Sequence, residues 1–247
     1  MDVIGVIPAR YQSTRLPGKP LADILGKPMI QWVYENAIRS ELLDDVIVAT
    51  DDDRVLEAVE GFGGKGAMTS AHHRTGTDRV AEIAAGTDAV IVVNIQGDEP
   101  FIKPSMIDEV VGPLLEDERI PMCTLKHEIL DEEDLHNPNV VKVVTDVSGF
   151  ALYFSRSLIP FPRHEEHHRA YEHIGLYAFR RSFLLEYAGM EPTQLERTES
   201  LEQLRALERG FRIKVVETNA EYIPLSVDTR EDLEKARRLA KKNSKEA

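Results

Sequence analysis

Short apolar runs rich in β-branched residues alternate with amphipathic stretches through the first half of the chain. The period of each pattern predicts strands at residues 3–7, 45–49 and 89–95, and helices at residues 29–38, 55–62 and 104–115. Strands that alternate with helices in this way form a mainly parallel, buried sheet. The first half therefore predicts an α/β fold with a Rossmann-like nucleotide platform.

The pattern changes in the middle of the chain. Strands are predicted at 140–145, 151–155 and 173–179, separated by loops rich in Gly, Pro and His, which favours a mixed, partly antiparallel insertion. A helix at 198–208, a strand at 213–218 and a helix at 229–242, capped by Asp228 or Thr229, then return to α/β. We expect one domain over 1–247, with a first half at 1–125, an insertion at about 126–197 and a return to the core at 198–247.

Composition excludes several classes of protein. The chain has 30 Lys and Arg against 43 Asp and Glu, a formal net charge of −13, which argues against nucleic acid or an acidic membrane surface as the main partner. Cys123 is the only cysteine, so an intrachain disulfide and a multi-cysteine zinc site are excluded. The first apolar run ends at Pro8 without a basic leader, and no apolar stretch is long enough to span a bilayer. We expect a cytoplasmic protein.

The loop after the first strand carries three cations, Arg10, Arg15 and Lys19. Ligands of open α/β sheets bind at the carboxyl ends of strands, and two guanidinium groups with one ammonium can surround a triphosphate. Neutral donors lie among the cations: Ser13, Thr14 and the backbone of Gly18. The competing interpretation is a polar loop whose cations are simply solvated. No Walker A sequence occurs, which argues against a P-loop ATPase.

Two aspartates are candidate metal ligands. Asp98 follows the strand at 89–95 in a turn, and Asp228 directly precedes the last predicted helix. Magnesium sites that serve nucleotides use one or two carboxylates together with phosphate oxygens and water, so two aspartates suffice. Taken singly, each has another interpretation, because Asp228 is a good helix N-cap and Asp98 a good turn residue.

Two motif matches lack the structural context that their chemistry needs. The sequence GFGGKG at 61–66 matches Gly-x-Gly-x-x-Gly, but it follows a predicted helix and precedes a strand, the reverse of the dinucleotide fingerprint. The sequence HEEHH at 164–168 matches His-Glu-x-x-His, but it follows a Pro-rich loop and has no evident third ligand, which argues against a zinc protease.

The loop at 8–20, followed by Leu-Gly-Lys-Pro-Met at 25–29, resembles the signature of sugar nucleotidyltransferases. From residue 3 to about 239, the chain resembles the 3-deoxy-manno-octulosonate (Kdo) cytidylyltransferase family. The further segments that carry this resemblance are 49–51, 75–79, 94–100, 151–156, 173–177, 201–205 and 227–229.

The resemblance implies a nucleotidyltransferase fold with a sugar-binding and dimerisation insertion, and an enzyme that transfers CMP from CTP to the anomeric hydroxyl of Kdo for lipopolysaccharide biosynthesis. It implies Mg²⁺ as cofactor on Asp98 and Asp228, and a homodimer. The implied catalytic residues are Arg10, Arg15, Lys19 and Asp98, and the implied nucleotide-binding residues are Ala9, Arg10, Ser13, Lys19, Thr75, Gly76 and Arg79. The implied sugar-binding residues are Gln96, Arg156, His173, Tyr177, Glu202 and Gln203.

For the sugar site, Arg156 is the expected partner of the sugar carboxylate, since its guanidinium has the matching fork shape. The residues alone leave other interpretations open: a solvated helix face for Glu202 and Gln203, and a satisfied core histidine for His173. Two alternatives for the whole chain also remain, a cytidylyltransferase for 8-amino-Kdo or a sialic acid, and a non-catalytic nucleotide-binding module.

Overall fold

The computed structural model describes residues 2–13 and 15–246, with side chains to residue 243. The strands in chain order are β1 Val3–Ala9, β2 Asp23–Ile24, β3 Lys27–Pro28, β4 Asp45–Thr50, β5 Gly66–Met68, β6 Ile91–Asn94, β7 Met122–Glu128, β8 Lys142–Thr145, β9 Ala151–Ser155, β10 Tyr171–Arg180 and β11 Ile213–Glu217. The α-helices are α1 Met29–Ala37, α2 Asp53–Gly61, α3 Gly76–Ala85, α4 Pro104–Glu116, α5 Glu132–His136, α6 Arg181–Ala188, α7 Gln194–Glu199, α8 Leu204–Glu208 and α9 Arg230–Glu246.

The chain divides into two compact units. The first unit comprises Met1–Asp108 and Ala220–Ala247, and the second comprises Glu109–Asn219. The divisions fall near residues 108 and 219, whereas the sequence suggested changes of character near 125 and 197. The description of the whole chain as one domain with an insertion stays a prediction.

The first unit contains a parallel sheet in the order β6-β1-β4-β5. Its central strand β1 is apolar and almost wholly buried, as expected of a strand covered on both faces. The helices α1, α2 and α3 lie between successive strands in the chain. This order confirms the predicted α/β class with a mainly parallel sheet, and it brings the carboxyl ends of β1, β4 and β6 to one edge.

The last helix of the first unit is capped by Thr229. The Thr229 hydroxyl accepts a hydrogen bond from the Asp232 amide at 3.2 Å, and the Asp232 carboxylate accepts one from the Thr229 amide at 3.1 Å. This reciprocal pair satisfies two backbone donors at the helix start. Of the two predicted caps, Thr229 is therefore the residue in use, and the carboxylate of Asp228 has other partners.

An apolar cluster joins three distant segments of the first unit. Leu16 from the loop after β1, Val227 and Leu233 at α9, and Met29 at the start of α1 are all buried in it. Burial of these side chains fixes their neighbours in the sequence, because the backbone next to a packed side chain has little freedom. Arg15 and Asp228, one residue before Leu16 and one after Val227, are thereby held close together.

The second unit has a mixed sheet, as the sequence predicted for the insertion. Strand β7 pairs in parallel with β11 and antiparallel with β10, and β8 pairs antiparallel with β10 and β9. The sequence did not predict β7, because its second half, Lys-His-Glu, is polar and masks the buried first half.

The single helix predicted at 198–208 is wrong. The structure has two short helices there, α7 and α8, separated by Ser200 at φ 53° in the left-handed region. A capping box between Thr193 and Glu196 begins α7 earlier than the apolar pattern suggests. The left-handed Ser200 then ends α7, since a helix cannot continue through that conformation.

The two rejected motifs have the predicted contexts. Helix α2 ends at Gly61, Gly63 has φ +80°, and β5 begins at Gly66, so residues 61–66 form a helix-to-strand turn. Residues Glu165–His167 form one turn of 3-10 helix. Over the described ranges 2–13 and 15–246, no three His, Cys, Asp or Glu side chains are grouped to hold a metal, and no helix has the length and apolar character needed to cross a bilayer.

Candidate active site

A cleft of about 800 Å³ opens in the first unit at the carboxyl ends of β1, β4 and β6. This volume lies in the range of small-molecule sites. Its walls come from the loop after β1, Asp51 after β4, the start of α3, the turn after β6 and Asp228. The position agrees with the rule that open α/β sheets bind ligands at this edge.

Two glycines allow the cleft walls to approach β1 closely. A Cβ on Gly97 would lie 2.8 Å from the carbonyl oxygen of Pro8, and a Cβ on Gly76 would lie 3.3 Å from the Pro8 ring. The first contact is with backbone and cannot be relieved by a side-chain movement. Glycine at 97 therefore permits the turn that carries Asp98 to pack on β1.

Asp98 and Asp228 meet in the lining of the cleft, with Lys19 between them. The Lys19 ammonium lies 2.6 Å from Asp98 Oδ2 and 2.9 Å from Asp228 Oδ1, and the Arg15 guanidinium lies 3.0 Å from Asp228 Oδ2. The backbone also joins the two aspartates, since the Val227 amide donates to the Asp98 carbonyl at 2.9 Å. The convergence that the family resemblance implied is present.

Lys19 is charged in this arrangement. Burial on its own lowers the pKa of Lys19, but the charge of Asp98 and the hydrogen bonds to Asp98 and Asp228 outweigh it, and the net pKa is raised. The ammonium shows that both carboxylates reach one cation at contact distance. The pair therefore fits a divalent cation that takes its remaining ligands from phosphate oxygens and water.

Most predicted nucleotide-binding residues line this cleft: Ala9, Arg10, Ser13, Lys19, Gly76 and Arg79. Thr75 is instead the N-cap of α3, in a capping box with Asp78. The Ser13 hydroxyl accepts the Leu16 amide at 3.3 Å, so it also shapes the loop. Thr14 lies outside the described residues.

Arg79 is buried and committed to neighbours within the first unit. One terminal nitrogen donates to Asp51 Oδ2 at 2.8 Å and the other donates to the Thr69 hydroxyl. Its buried Nε has no partner in the described part of the chain. Arg79 thus ties the ends of β4 and β5 to α3, and this contact is visible only in the folded chain.

The cleft also contains residues that the sequence did not single out as ligands, Tyr11, Gln12 and His73. The Arg54 guanidinium stacks 3.4 Å from the centre of the Tyr11 ring. His73 Nε2 is hydrogen-bonded to the Glu82 carboxylate on α3. No sequence signal marked His73, since a lone histidine in a polar loop is common.

Among the predicted sugar-binding residues, Gln96 lines the cleft of the first unit. The others belong to the second unit, where His173 Nε2 lies 3.0 Å from the Thr124 hydroxyl and the ring packs edge-on against Phe154 at 4.9 Å. Burial lowers the pKa of His173 to about 3, so the ring is neutral. Tyr177 lies beside it, with ring centres 5.5 Å apart.

Arg156 donates to three backbone carbonyls, those of Glu199 at 2.7 Å, Pro138 at 2.8 Å and Ser200 at 3.3 Å. A guanidinium has five N–H donors, so two remain for a ligand. The role of Arg156 as the partner of a sugar carboxylate stays a prediction. Its visible role is to hold two loops of the second unit together.

Gln203 is 4% exposed, which excludes the solvated helix face as its interpretation. Its Nε2 is buried and has no hydrogen-bond partner in the described part of the chain. A buried amide without a partner is costly, which is typical of a group that meets a ligand. Beside it, the Glu202 carbonyl accepts the Tyr187 hydroxyl at 2.5 Å.

Comparison with known proteins agrees with this geometry. Residues 4–215 match the model of a family described as cytidylyltransferase. A protein of Geobacter sulfurreducens named 3-deoxy-manno-octulosonate cytidylyltransferase is 55% identical over 246 residues, covering 95% of this chain and 98% of that protein. A protein of the same name from Geobacter metallireducens is 56% identical, covering 95% of this chain and 96% of that protein.

A solved structure of CMP:2-keto-3-deoxy-manno-octonic acid synthetase complexed with CTP superposes with a TM-score of 0.94 at 45% identity, covering 98% of this chain and 100% of that chain. The α/β fold, with three cations and an acidic pair lining one cleft, is that of a nucleotidyltransferase. The sequence matches narrow that class, and the chain belongs to the 3-deoxy-manno-octulosonate cytidylyltransferase family.

Proposed function

We propose that the protein transfers CMP from CTP to the anomeric hydroxyl of Kdo, giving CMP-Kdo and pyrophosphate for lipopolysaccharide assembly. The observation that carries this proposal is the meeting of Lys19 with Asp98 and Asp228 beside Arg15, in the cleft at the sheet edge. Relatives above 50% identity over nearly the whole chain carry the name of this reaction.

The chemistry requires positioning and charge neutralisation. The anomeric oxygen forms a bond to the α-phosphorus, the bond from the α-phosphorus to the bridging oxygen breaks, pyrophosphate leaves, and the hydroxyl proton is released. Arg10, Arg15 and Lys19 line the cleft and oppose the charge of the triphosphate. These cations raise affinity for the nucleotide and stabilise the leaving pyrophosphate.

Magnesium is the proposed cofactor, held by Asp98 and Asp228 together with the nucleotide. When bound, it would neutralise phosphate charge and make the attacking hydroxyl more acidic. The described residues place no third His, Cys, Asp or Glu with the two carboxylates, and such a pair fits a metal that arrives with its nucleotide. We assign no dedicated general base.

Recognition of the sugar is assigned to polar groups of the second unit. Arg156 has two N–H donors left for a carboxylate, and the buried Nε2 of Gln203 has no hydrogen-bond partner among the described residues. His173, as a neutral ring, and Tyr177 add hydrogen-bonding groups for sugar hydroxyls.

We also propose that the protein is a cytoplasmic homodimer. Exposed apolar side chains on the second unit support an interface, among them Leu152 at 63% and Phe161 at 81% exposure. Light scattering tests the dimer, and a monomer at micromolar concentration would reject it.

The reaction is tested by pyrophosphate release with CTP and Mg²⁺ in the presence of Kdo, 8-amino-Kdo or a sialic acid. Release with Kdo that stops when the metal is chelated is the expected result. Release with another sugar alone would keep the reaction class and overturn the substrate. If none of the three sugars gave pyrophosphate release, the proposed reaction would be rejected in favour of a non-catalytic nucleotide-binding module.

A further inference from the structure

His73 and Glu82 form a hydrogen-bonded pair beside the start of α3. His73 lines the cleft, and its Nε2 contacts Glu82 Oε2. The same carboxylate oxygen accepts the Ser70 amide at 2.9 Å. Glu82 therefore fixes both the backbone of the loop before α3 and the position of the histidine ring.

The pair determines where the imidazole proton lies. The Ser70 amide and the His73 ring hold the pKa of Glu82 below its usual value, so the group is a carboxylate that only accepts hydrogen bonds. Nε2 must then be the donor, and in the neutral ring Nδ1 is an acceptor. Nδ1 makes no hydrogen bond to the part of the chain that the structure describes.

An acceptor in the lining of the cleft requires a donor on the ligand. Arg15 and Lys19, which attract phosphate, contact Asp228 and Asp98 rather than the pair of His73 with Glu82, and a lone pair on Nδ1 repels phosphate oxygens. Nearby Arg79 is engaged with Asp51 and Thr69. The pyrimidine is the part of a nucleotide that offers a donor, since cytosine has a 4-amino group where uracil has a carbonyl oxygen.

We propose that His73 Nδ1 accepts a hydrogen bond from the 4-amino group of cytosine and so selects CTP over UTP, with Glu82 as the positioning residue that fixes the ring and its tautomer. This inference rests on the proposed function, because it takes CTP as the nucleotide of this cleft. With UTP, the oxygen at position 4 and Nδ1 would face each other as two acceptors. Such a mismatch leaves both groups unsatisfied.

The test is the ratio of UTP to CTP dissociation constants, measured by calorimetry. The variants are His73→Asn and Glu82→Ala, with His72→Asn as the control, because His72 is the exposed neighbour outside the cleft lining. The wild type is expected to bind CTP more tightly. An amide at position 73 can turn its donor towards uracil, so His73→Asn should lower the ratio by about ten-fold, and Glu82→Ala should lower it as well.

A merely structural role for the pair predicts equal losses for CTP and UTP with an unchanged ratio, and that result would overturn the proposal. So would a wild type that does not distinguish the nucleotides or binds neither, or a ratio that falls equally in His72→Asn. Pyrophosphate release with Kdo is measured in parallel. Selective CTP binding without release would reject the proposed function and leave the assignment of His73 standing.

Discussion

Two ion-pair networks of the protein have similar distances but differ in how exposed their side chains are. In the first unit, Lys19 lies 2.6 Å from Asp98, and the side chains are 17% and 24% exposed. In the second unit, Arg205 lies 2.5 Å from Glu196, and the side chains are 5% and 11% exposed. Distance alone does not distinguish a functional pair from a structural one.

The difference lies in what each cation still needs. Arg205 is committed, with two bonds to Glu196 and one to the Tyr187 carbonyl. Lys19 has two carboxylates for one ammonium, and a second cation, Arg15, is 64% exposed on the same cluster. In the partly exposed cluster around Lys19, which we call the open network, a ligand can replace one of the ion-pair partners. The buried pair of Arg205 with Glu196, the closed network, stabilises the fold instead.

The largest expected effect comes from removing the charge of Asp98. Asp98→Asn should lower kcat by about 1000-fold, or about 4 kcal/mol of transition-state stabilisation, because the proposed metal ligand is lost. Thermal unfolding should stay near that of the wild type, since the group is partly exposed. The control is Asp45→Asn. Asp45 forms an ion pair with Lys65 at 2.7 Å, and neither residue lines the cleft. Near-normal turnover of Asp98→Asn would contradict the assignment.

Removing the charge of Glu196 should act on stability instead. Glu196→Gln leaves the buried Arg205 guanidinium with Glu202, at 3.8 Å, as its only charged partner among the described residues, which should lower the free energy of unfolding by about 3 kcal/mol. The matched control is Glu234→Gln, whose pair with Arg237 has a distance of 2.6 Å but is exposed. That change should cost less than about 1 kcal/mol. Urea unfolding measures both, and equal losses would show that burial does not separate the networks.

The sequence predicted local features better than long-range ones. The strands and helices of the first half follow from their apolar periods, and the position of the basic loop follows from the strand before it. The break at Ser200 was not predictable, since the pattern of apolar residues continues through it and only the capping box of Thr193 and Glu196 shifts the helix.

The site shows the same limit. Its cations were evident from their spacing, but the meeting of Asp98 with Asp228 depends on the Val227 amide and on burial of Leu16 and Val227 in one cluster. The pairing of His73 with Glu82, nine residues apart, depends on how the loop before α3 folds back. Such contacts join segments through packing, which no local pattern specifies.

Replacing Lys19 should sharpen the contrast between the open and closed networks. Lys19→Met removes the cation that lies within 2.9 Å of both aspartates, so the enzyme without nucleotide should bind Mn²⁺ about ten-fold more tightly. Electron paramagnetic resonance of free Mn²⁺ measures this. Lys27→Met, which breaks the pair with Glu35 outside the cleft, is the control and should leave Mn²⁺ affinity unchanged. Unchanged affinity in Lys19→Met would mean that the ammonium does not compete for the site.

The smallest expected effect concerns Glu172, a carboxyl group whose burial is not fully compensated by a cation. Burial and the charge of Asp134 raise the pKa of Glu172 to about 7, although Lys142 opposes the shift. A carboxyl with a folded pKa above its unfolded value of 4.5 stabilises the protein below about pH 4.5, and this contribution is lost as the pH rises through about 7. A shift of this size corresponds to about 2.5 kcal/mol between pH 5 and pH 8. Because the Glu172 side chain is only partly buried and solvent screens its charge, we expect the wild type to lose about 1 kcal/mol relative to Glu172→Gln.

Urea unfolding at the two pH values measures this loss, with Glu217→Gln, an exposed strand carboxylate of the same unit, as the control. The difference between wild type and Glu172→Gln should change with pH, and the difference between wild type and Glu217→Gln should not. If Glu172→Gln follows the wild type at both values, Glu172 is ionised throughout and its charge is balanced within the fold. In that case Glu172, like Glu196 with Arg205, would carry a charge that the fold compensates. The networks of Lys19 and of Arg205 would then differ in exposure alone.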